Sequence, residues 1–454
     1  MSNTRFPQDF VWGVATSAFQ IEGATATDGR GESIWDRFAS QPGKIEDGTD
    51  GARACDHYNR WQEDVDIIAS LRVGAYRFSI SWPRVFAKGS GPINSAGLAF
   101  YDRLVDTLLA RDIEPFITLY HWDLPQTLQD KGGWLARDTA RYFADYAHEV
   151  GRRLGDRAKK WVTHNEPWCS TILGHEAGEH APGLKDRSKA LAAGHHILLS
   201  HGLAVDALRD TFSDLEIGIV QLLCPGYPAS DSDADVEATE VFEDDFNRWF
   251  MDPIAFGRYP QKAVARARAQ GFIYEQHPVL AEPNDLEIIS APIDFVGINY
   301  YRRAIVRAEI PERDNRPREL FSPPKEEMTD MGWEVYPEGL YDVLKRVQDE
   351  WKFKKIFVTE CGAAYGDGPD DNGQIRDLRR IKFLDEHFAN AERAIADGVQ
   401  VAGLFVWSLM DNFEWAFGYR KRFGLVWVDY ATQERKLKDS AHWFREFIET
   451  NGRS

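Results

Sequence analysis

KKWVTHNE (159–166) and KIFVTECG (355–362) share one construction: a short apolar, β-branched run that reaches a glutamate at its end, Glu166 in the first and Glu360 in the second. A run that begins apolar and ends in reactive side chains reads as a buried strand opening on a polar cavity. Six further runs are built alike: FVWGVATSAF (10–19), GAYRFSISW (74–82), EPFITLYHW (114–122), LEIGIVQLL (215–223), DFVGINYY (294–301) and VAGLFVWSL (401–409). Segments with helical apolar spacing lie between them, as at 56–71, 96–112, 136–156 and 376–398. Strand and helix in alternation indicate βα units on a parallel sheet, and eight such units predict an α/β fold of the closed (β/α)8, or TIM, barrel type. Sites in such barrels gather at the C-terminal ends of the strands. The runs end there in Gln20 and Glu22, Arg77, His121 and Trp122, Asn165 and Glu166, Asn299 and Tyr301, Glu360, and Trp407.

The 454 residues exceed the roughly 250 of a minimal barrel. No Ser/Pro/Gly tract divides the chain, and the surplus is assigned to loops at 38–55, 168–188 and 302–334, so 1–454 is expected to be a single domain. A net charge of −18 repels nucleic acid and anionic lipid. No basic segment leads into a long apolar one at the start, and no run approaches 18 apolar residues, so no membrane partner and a cytoplasmic location are expected. Cys55, Cys169, Cys224 and Cys361 are far apart without CxxC spacing, which suggests reduced thiols and no structural zinc. Adjacent His195 and His196 on a helix face different directions and make a poor chelate, so neither metal nor cofactor is expected.

Fifteen tryptophans are unusual, and several stand beside polar groups in LYHWDLP, HNEPW, VWSLMD and FEWAFG. A flat aromatic surface beside carboxylate, His and Asn suits a pyranose, which has apolar CH faces and a rim of hydroxyls. Paired carboxylates on strands four and seven suit glycoside hydrolysis, one protonating the leaving oxygen while the other attacks or hydrates the anomeric carbon.

FVWGVATSAFQIEGA, DHYNRWQEDVDIIASLRVGAYRFSISWPR, THNEPW, GINYY and VWSLMDNFEWAFGYRKRFGLVWVDY together resemble the family 1 glycoside hydrolases, the β-glucosidase group, over nearly the whole chain. The resemblance implies Glu166 as acid/base and Glu360 as nucleophile of a retaining exo-β-glucosidase acting on small β-glucosides such as cellobiose and aryl glycosides. It implies that Asn165 contacts the sugar 2-hydroxyl, Tyr301 steadies the nucleophile, and Asn299 supports it. Gln20, His121, Trp122, Glu414 and Trp415 correspond to contacts with the non-reducing sugar, Trp407 to its floor, Phe423 to a neighbour of its 6-position, and Trp333 to the leaving-group side. Trp168 and the loop through His180 are expected at the same entrance.

Arg77 alternates with Tyr76 and Phe78, which aims its guanidinium into the lumen, where it would keep Glu360 ionised. An ionised Glu360 roughly 5 Å away would raise Glu166 by like-charge repulsion. Glu414 favours an unphosphorylated sugar, and Arg420, Lys421 and Arg422 are expected to form a solvated loop face instead of a phosphate site. Cys361 stands where the family has Asn, and pleat alternation turns it away from the sugar. The rivals are a galactosidase- or fucosidase-leaning or transglycosylating relative, an endo-acting glycanase, a thioglucosidase, which would carry Gln at Glu166, and a silent sugar-binding barrel. Oligomeric state is left open.

Overall fold

The computed structural model describes residues 6–282, 284–308, 318–320 and 327–452. Eight parallel strands close into a barrel: β1 (Val11–Ala15), β2 (Ala75–Ser79), β3 (Glu114–Tyr120), β4 (Lys160–Asn165), β5 (Glu216–Leu222), β6 (Phe295–Tyr300), β7 (Ile356–Cys361) and β8 (Val401–Trp407), with β1 paired to both β2 and β8. The eight predicted runs contain them. The first run is the poorest match, because β1 stops at Ala15 and Ala18–Ile21 forms a helical turn that carries Gln20.

Side chains alternate between lumen and helical layer, as the pleat requires. Phe116, Phe295, Phe357 and Phe405 point inward and meet edge-on at centroid separations of 4.9 to 5.3 Å along Phe116–Phe405, Phe116–Phe357, Phe116–Phe295 and Phe295–Phe357. Their favoured edge-to-face geometry plugs the barrel beneath the site and keeps the lumen a packed core.

Helices cover the outside, among them α1 (His57–Ser70), α2 (Ser95–Leu109), α3 (Asp138–Leu154), α4 (Arg187–Arg209) and α5 (Leu378–Ala396). Four of these lie within the helical segments expected at 56–71, 96–112, 136–156 and 376–398, α2 beginning one residue earlier. On α4, His195 bonds Tyr259 and Asp285, whereas His196 bonds the carbonyl of Trp134, so the two rings face different partners. No described helix is long and apolar enough to cross a membrane.

The surplus chain is distributed differently from the expectation. Residues 168–188 are not all loop, because Cys169–Ala177 forms a π-helical segment. A large excursion between β5 and β6 went unassigned; it contains the strand Gly226–Pro228 and helices Asp233–Glu243, Trp249–Phe256 and Gln261–Ala269. Of the expected loop 302–334, residues 309–317 and 321–326 lie outside the described residues.

Candidate active site

The C-terminal ends of the strands surround a cavity of about 300 Å³ lined by Glu166, Glu360, Glu414, His121, Tyr301 and five tryptophans, Trp122, Trp168, Trp333, Trp407 and Trp415. Phe423 and His180 also line it. Cys169 and Leu173, from the expected stretch between Trp168 and His180, line it as well, and sequence reasoning missed Leu223, Cys224, Phe246 and Met331. Leu223, Cys224 and Phe246 come from the end of β5 and the excursion that follows it, whose return to the cavity has no signature in the sequence.

Glu166 and Glu360 reach the cavity through local departures from regular pairing. The β4–β5 register slips between Val162 and Asn165, and the β7–β6 register between Val358 and Glu360. On β4 the slip lets two consecutive residues face the helical layer: Thr163 bonds His201 at 2.7 Å, and His164 bonds Ser200 at 2.8 Å, both on α4. Asn165 is thereby returned to the lumen, an example of a bulge re-aiming a side chain. Glu166 follows with φ 48°, while Trp122 and Trp415 have φ 76° and 49°. Such left-handed backbone disfavours non-glycine residues by roughly 1–2 kcal/mol each, so three cavity residues carry strain that the surrounding packing must offset.

Arg77, buried to 1% exposure, organises the polar floor. It donates to Glu360 Oε1 at 2.6 Å, Asn165 Oδ1 at 2.7 Å and Thr118 Oγ1 at 3.1 Å. Tyr301 donates its hydroxyl to the other oxygen of Glu360 at 2.5 Å. Because Asn165 Oδ1 accepts from Arg77, its Nδ2 must face His121 Nε2, 3.1 Å away. That nitrogen then accepts, so the His121 proton sits on Nδ1, a buried donor with no partner among the described residues. Burial, reinforced by the Arg77 charge, holds His121 well below the ordinary histidine range and keeps the ring neutral.

Asn299 is similarly fixed. Asn165 Oδ1, oriented by Arg77, can only accept, so Asn299 Nδ2 donates to it at 3.1 Å and to Glu166 Oε1 at 2.8 Å, and Asn299 Oδ1 accepts from Thr359 Oγ1 at 2.8 Å. Cys169 Sγ lies 3.2 Å from Glu166 Oε2.

The two carboxyls differ in their compensation. Burial first, and the charge of Glu360 second, push Glu166 up to about 8. The expected like-charge effect is therefore present but secondary to desolvation. Burial also raises Glu360, but Arg77 and the Tyr301 hydroxyl oppose it, so a proton shared by the pair belongs on Glu166. Glu414 is also pushed up to about 8, again by burial and then by the charges of Glu360 and Glu166.

Gln20 stands behind the cavity wall. Its amide nitrogen donates to Asn412 Oδ1, the Phe413 carbonyl and Glu414 Oε2 at 3.0, 2.9 and 3.3 Å, and its oxygen accepts from Ser17. The structure thus places it as a brace for Glu414. Arg77, Asn165 and Asn299 also lie beneath the lining and are buried. Arg422 departs from the expected solvated face: it pairs with buried Asp411 at 2.6 Å and lies over Tyr430 at 4.7 Å. Arg420 is exposed and pairs with Glu46. Cys361 is fully buried in the core layer outside the lumen, as expected.

The sequence matches the family described as Glycosyl hydrolase family 1 over residues 2–453. The chain belongs to glycosyl hydrolase family 1. Among its family 1 relatives, β-glucosidase A of Acetivibrio thermocellus is 48% identical over 100% of both chains. A bifunctional β-D-glucosidase/β-D-fucosidase of Bifidobacterium breve is 42% identical over 98% of both. The solved structure of a Thermotoga maritima family 1 glycoside hydrolase complexed with a cyclophellitol analogue transition-state mimic superimposes with a TM-score of 0.95 at 45% identity, covering 100% of both chains. Its likeness over the whole chain agrees with the eight-strand barrel described above.

Proposed function

We propose that the chain is a retaining exo-β-glucosidase in which Glu360 is the nucleophile and Glu166 the acid/base. The observation that carries this reading is the asymmetry of the two carboxyls: Glu360 is held by a guanidinium and a phenol, whereas Glu166 has no ion pair among the described residues and is pushed up to about 8. Ionised Glu360 attacks the anomeric carbon while Glu166 gives its proton to the departing oxygen. Forming the glycosyl ester removes the Glu360 charge, and with it one of the two influences that raise Glu166. Glu166 then ionises and takes a proton from the water that releases glucose. His121 Nδ1–H and Glu414 offer hydrogen bonds to the sugar hydroxyls, Trp407 its floor, and Trp122 and Trp415 the adjoining aromatic wall. Trp333, Phe246 and Trp168 offer the leaving group an apolar wall. Small β-glucosides, cello-oligosaccharides included, are the substrates, residues 1–454 act as one catalytic unit, and four buried free thiols support a cytoplasmic setting.

Azide tests the assignment. Glu360→Gly should lose turnover, and azide should restore cleavage of an activated β-glucoside with formation of the α-azide, since it enters from the nucleophile's side. Glu166→Ala with azide should give the β-azide. A β-azide from Glu360→Gly overturns the roles.

A further inference from the structure

Glu166 is held by two neighbours of different chemical character. Asn299 Nδ2 donates to Oε1 at 2.8 Å, and Cys169 Sγ lies 3.2 Å from Oε2. The amide cannot reverse, because its nitrogen faces Asn165 Oδ1, an oxygen oriented by Arg77 that can only accept. Oε1 therefore faces a permanent N–H donor, and the carboxyl proton belongs on Oε2. Cys169 is anchored for this contact, its backbone N–H donating to the Glu166 carbonyl at 3.0 Å as the π-helical segment begins.

A thiol is both a weak donor and a weak acceptor, and its hydrogen rotates about the Cβ–Sγ bond. We propose that Cys169 is a positioning residue for the acid/base, keeping Oε2 of Glu166 as the proton-carrying oxygen and serving as its hydrogen-bond partner in both protonation states. This rests on the assignment of Glu166 above. In glycosylation, a Glu360 oxygen bonds to the anomeric carbon as the bond from that carbon to the glycosidic oxygen breaks, the proton on Oε2 passes to the departing oxygen, and the S–H turns to donate to the bare Oε2. In deglycosylation, the oxygen of water bonds to the anomeric carbon as the ester bond to Glu360 breaks and leaves that carboxylate ionised, and Oε2 receives the proton from the water O–H; the S–H turns away and sulfur accepts. The thiol exchanges no proton. Burial and the adjoining Glu166 charge hold it well above the ordinary thiol range, so it remains S–H throughout.

The other groups that face Glu166 are the carboxyls of Glu360 and Glu414, the Arg77 guanidinium and the Tyr301 hydroxyl. Each has a partner of its own: Arg77 and Tyr301 bond Glu360, and Gln20 bonds Glu414. Asn299 and Cys169 are thus the side chains that hydrogen-bond Glu166 among the described residues.

The test is the pH profile of kcat/KM for phenyl β-glucoside, whose poor leaving group needs the proton. The donor to ionised Glu166 is lost in Cys169→Val, so the carboxylate is less stable and the alkaline limb should move up by about half a pH unit. Cys169→Ser keeps a rotating donor and acceptor and should restore the limb to the wild-type position or slightly below it. Circular dichroism verifies folding, and Cys169→Ala provides the same comparison should valine disturb packing. An unmoved limb in the Val and Ala variants, or a serine limb displaced as far as theirs, overturns the proposal. Glu166→Gln, read on 2,4-dinitrophenyl β-glucoside, should show no alkaline limb in this range. A limb that persists there, and also when Glu414→Gln is added to remove the other group pushed up to about 8, shows the acid/base assignment to be at fault, and not the role of the thiol.

Discussion

Arg77→Met removes the guanidinium from beneath Glu360 while retaining much of the apolar stem. Both side chains are nearly inaccessible, at 1% and 4% exposure, and their contact is 2.6 Å. Removing one partner of such a pair leaves an uncompensated buried charge, at a cost of about 3–5 kcal/mol if the survivor stays ionised. Glu360 can avoid that cost by taking a proton, and burial already favours the neutral form. At about 1.4 kcal/mol per pKa unit, the same free energy corresponds to a rise of roughly 2–3.5 units. At a pH below its original pKa, a nucleophile with that shift is ionised about a hundredfold to a few thousandfold less often, and the deficit in kcat/KM should narrow as the pH rises. The sign is testable: activity of the variant should increase with pH until Glu166 loses its proton, whereas wild-type activity should not. Thermal unfolding measured on the same samples covers the other branch, since a Glu360 that stays ionised would lower Tm in place of activity. Arg77→Lys should fall between, because one ammonium cannot span Glu360 and Asn165 as the planar fork does. Arg77→Met within about fivefold of wild type, with unchanged Tm, would refute the claim that this guanidinium sets the charge of Glu360.

Glu166 must be protonated for glycosylation and is pushed up to about 8, so kcat/KM of the wild type should hold below that pH and decline through it; a decline centred below pH 6 would contradict the burial argument. Glu414→Ser should cost about 2–4 kcal/mol in kcat/KM for glucosides, and less for fucosides, which lack the 6-hydroxyl; equal losses would show that Glu414 does not serve that end of the ring. Cys361→Ala should keep activity within about tenfold, because the thiol lies outside the lumen and burial pushes it far from the thiolate form; a loss as complete as that of Glu360→Gly in a folded variant would give it a chemical role.

The barrel was legible because each strand is nearly continuous in apolar residues and ends in polar ones, a pattern imposed by burial on both faces and a cavity at one end. Arg77 was legible for the same reason: strict alternation between Tyr76 and Phe78 holds on β2, where the pairing with β3 is unbroken. Alternation is a poor guide on β4 and β7, where the register slips beside each glutamate. There the position of each glutamate at the end of an apolar run, and then the family motifs, pointed to the reactive residues where the pleat did not. Gln20 stands on a helical turn where the sequence reads as a strand end, and its amide donates to Glu414. The wall formed by Leu223, Cys224 and Phe246 was invisible, since it depends on how the β5–β6 excursion folds back over the cavity.

The expectation of an unphosphorylated sugar bears on the cations of the site as well as on Glu414. A fixed carboxylate at Glu414 would repel a phosphate, but the buried side chain is pushed up to about 8 and holds its proton through much of the neutral range in the open cavity. What disfavours a phosphate is the commitment of the nearby guanidinium groups, while Lys421 donates to the Asp330 carbonyl. Arg77 is engaged by Glu360 and Asn165. In the basic run, Arg420 pairs with Glu46, and Arg422 pairs with Asp411 while also donating to the Val428 carbonyl. Recruiting Arg422 to a ligand would strand Asp411, which is fully buried and otherwise held by Lys438. A dianion entering beside Glu360 and Glu414 would therefore meet two carboxyl groups and guanidinium groups already engaged, and its desolvation would go uncompensated. A glucoside carries no such charge, and its hydroxyls can use the protonated Glu414 and His121 Nδ1–H as donors without disturbing any of these pairs.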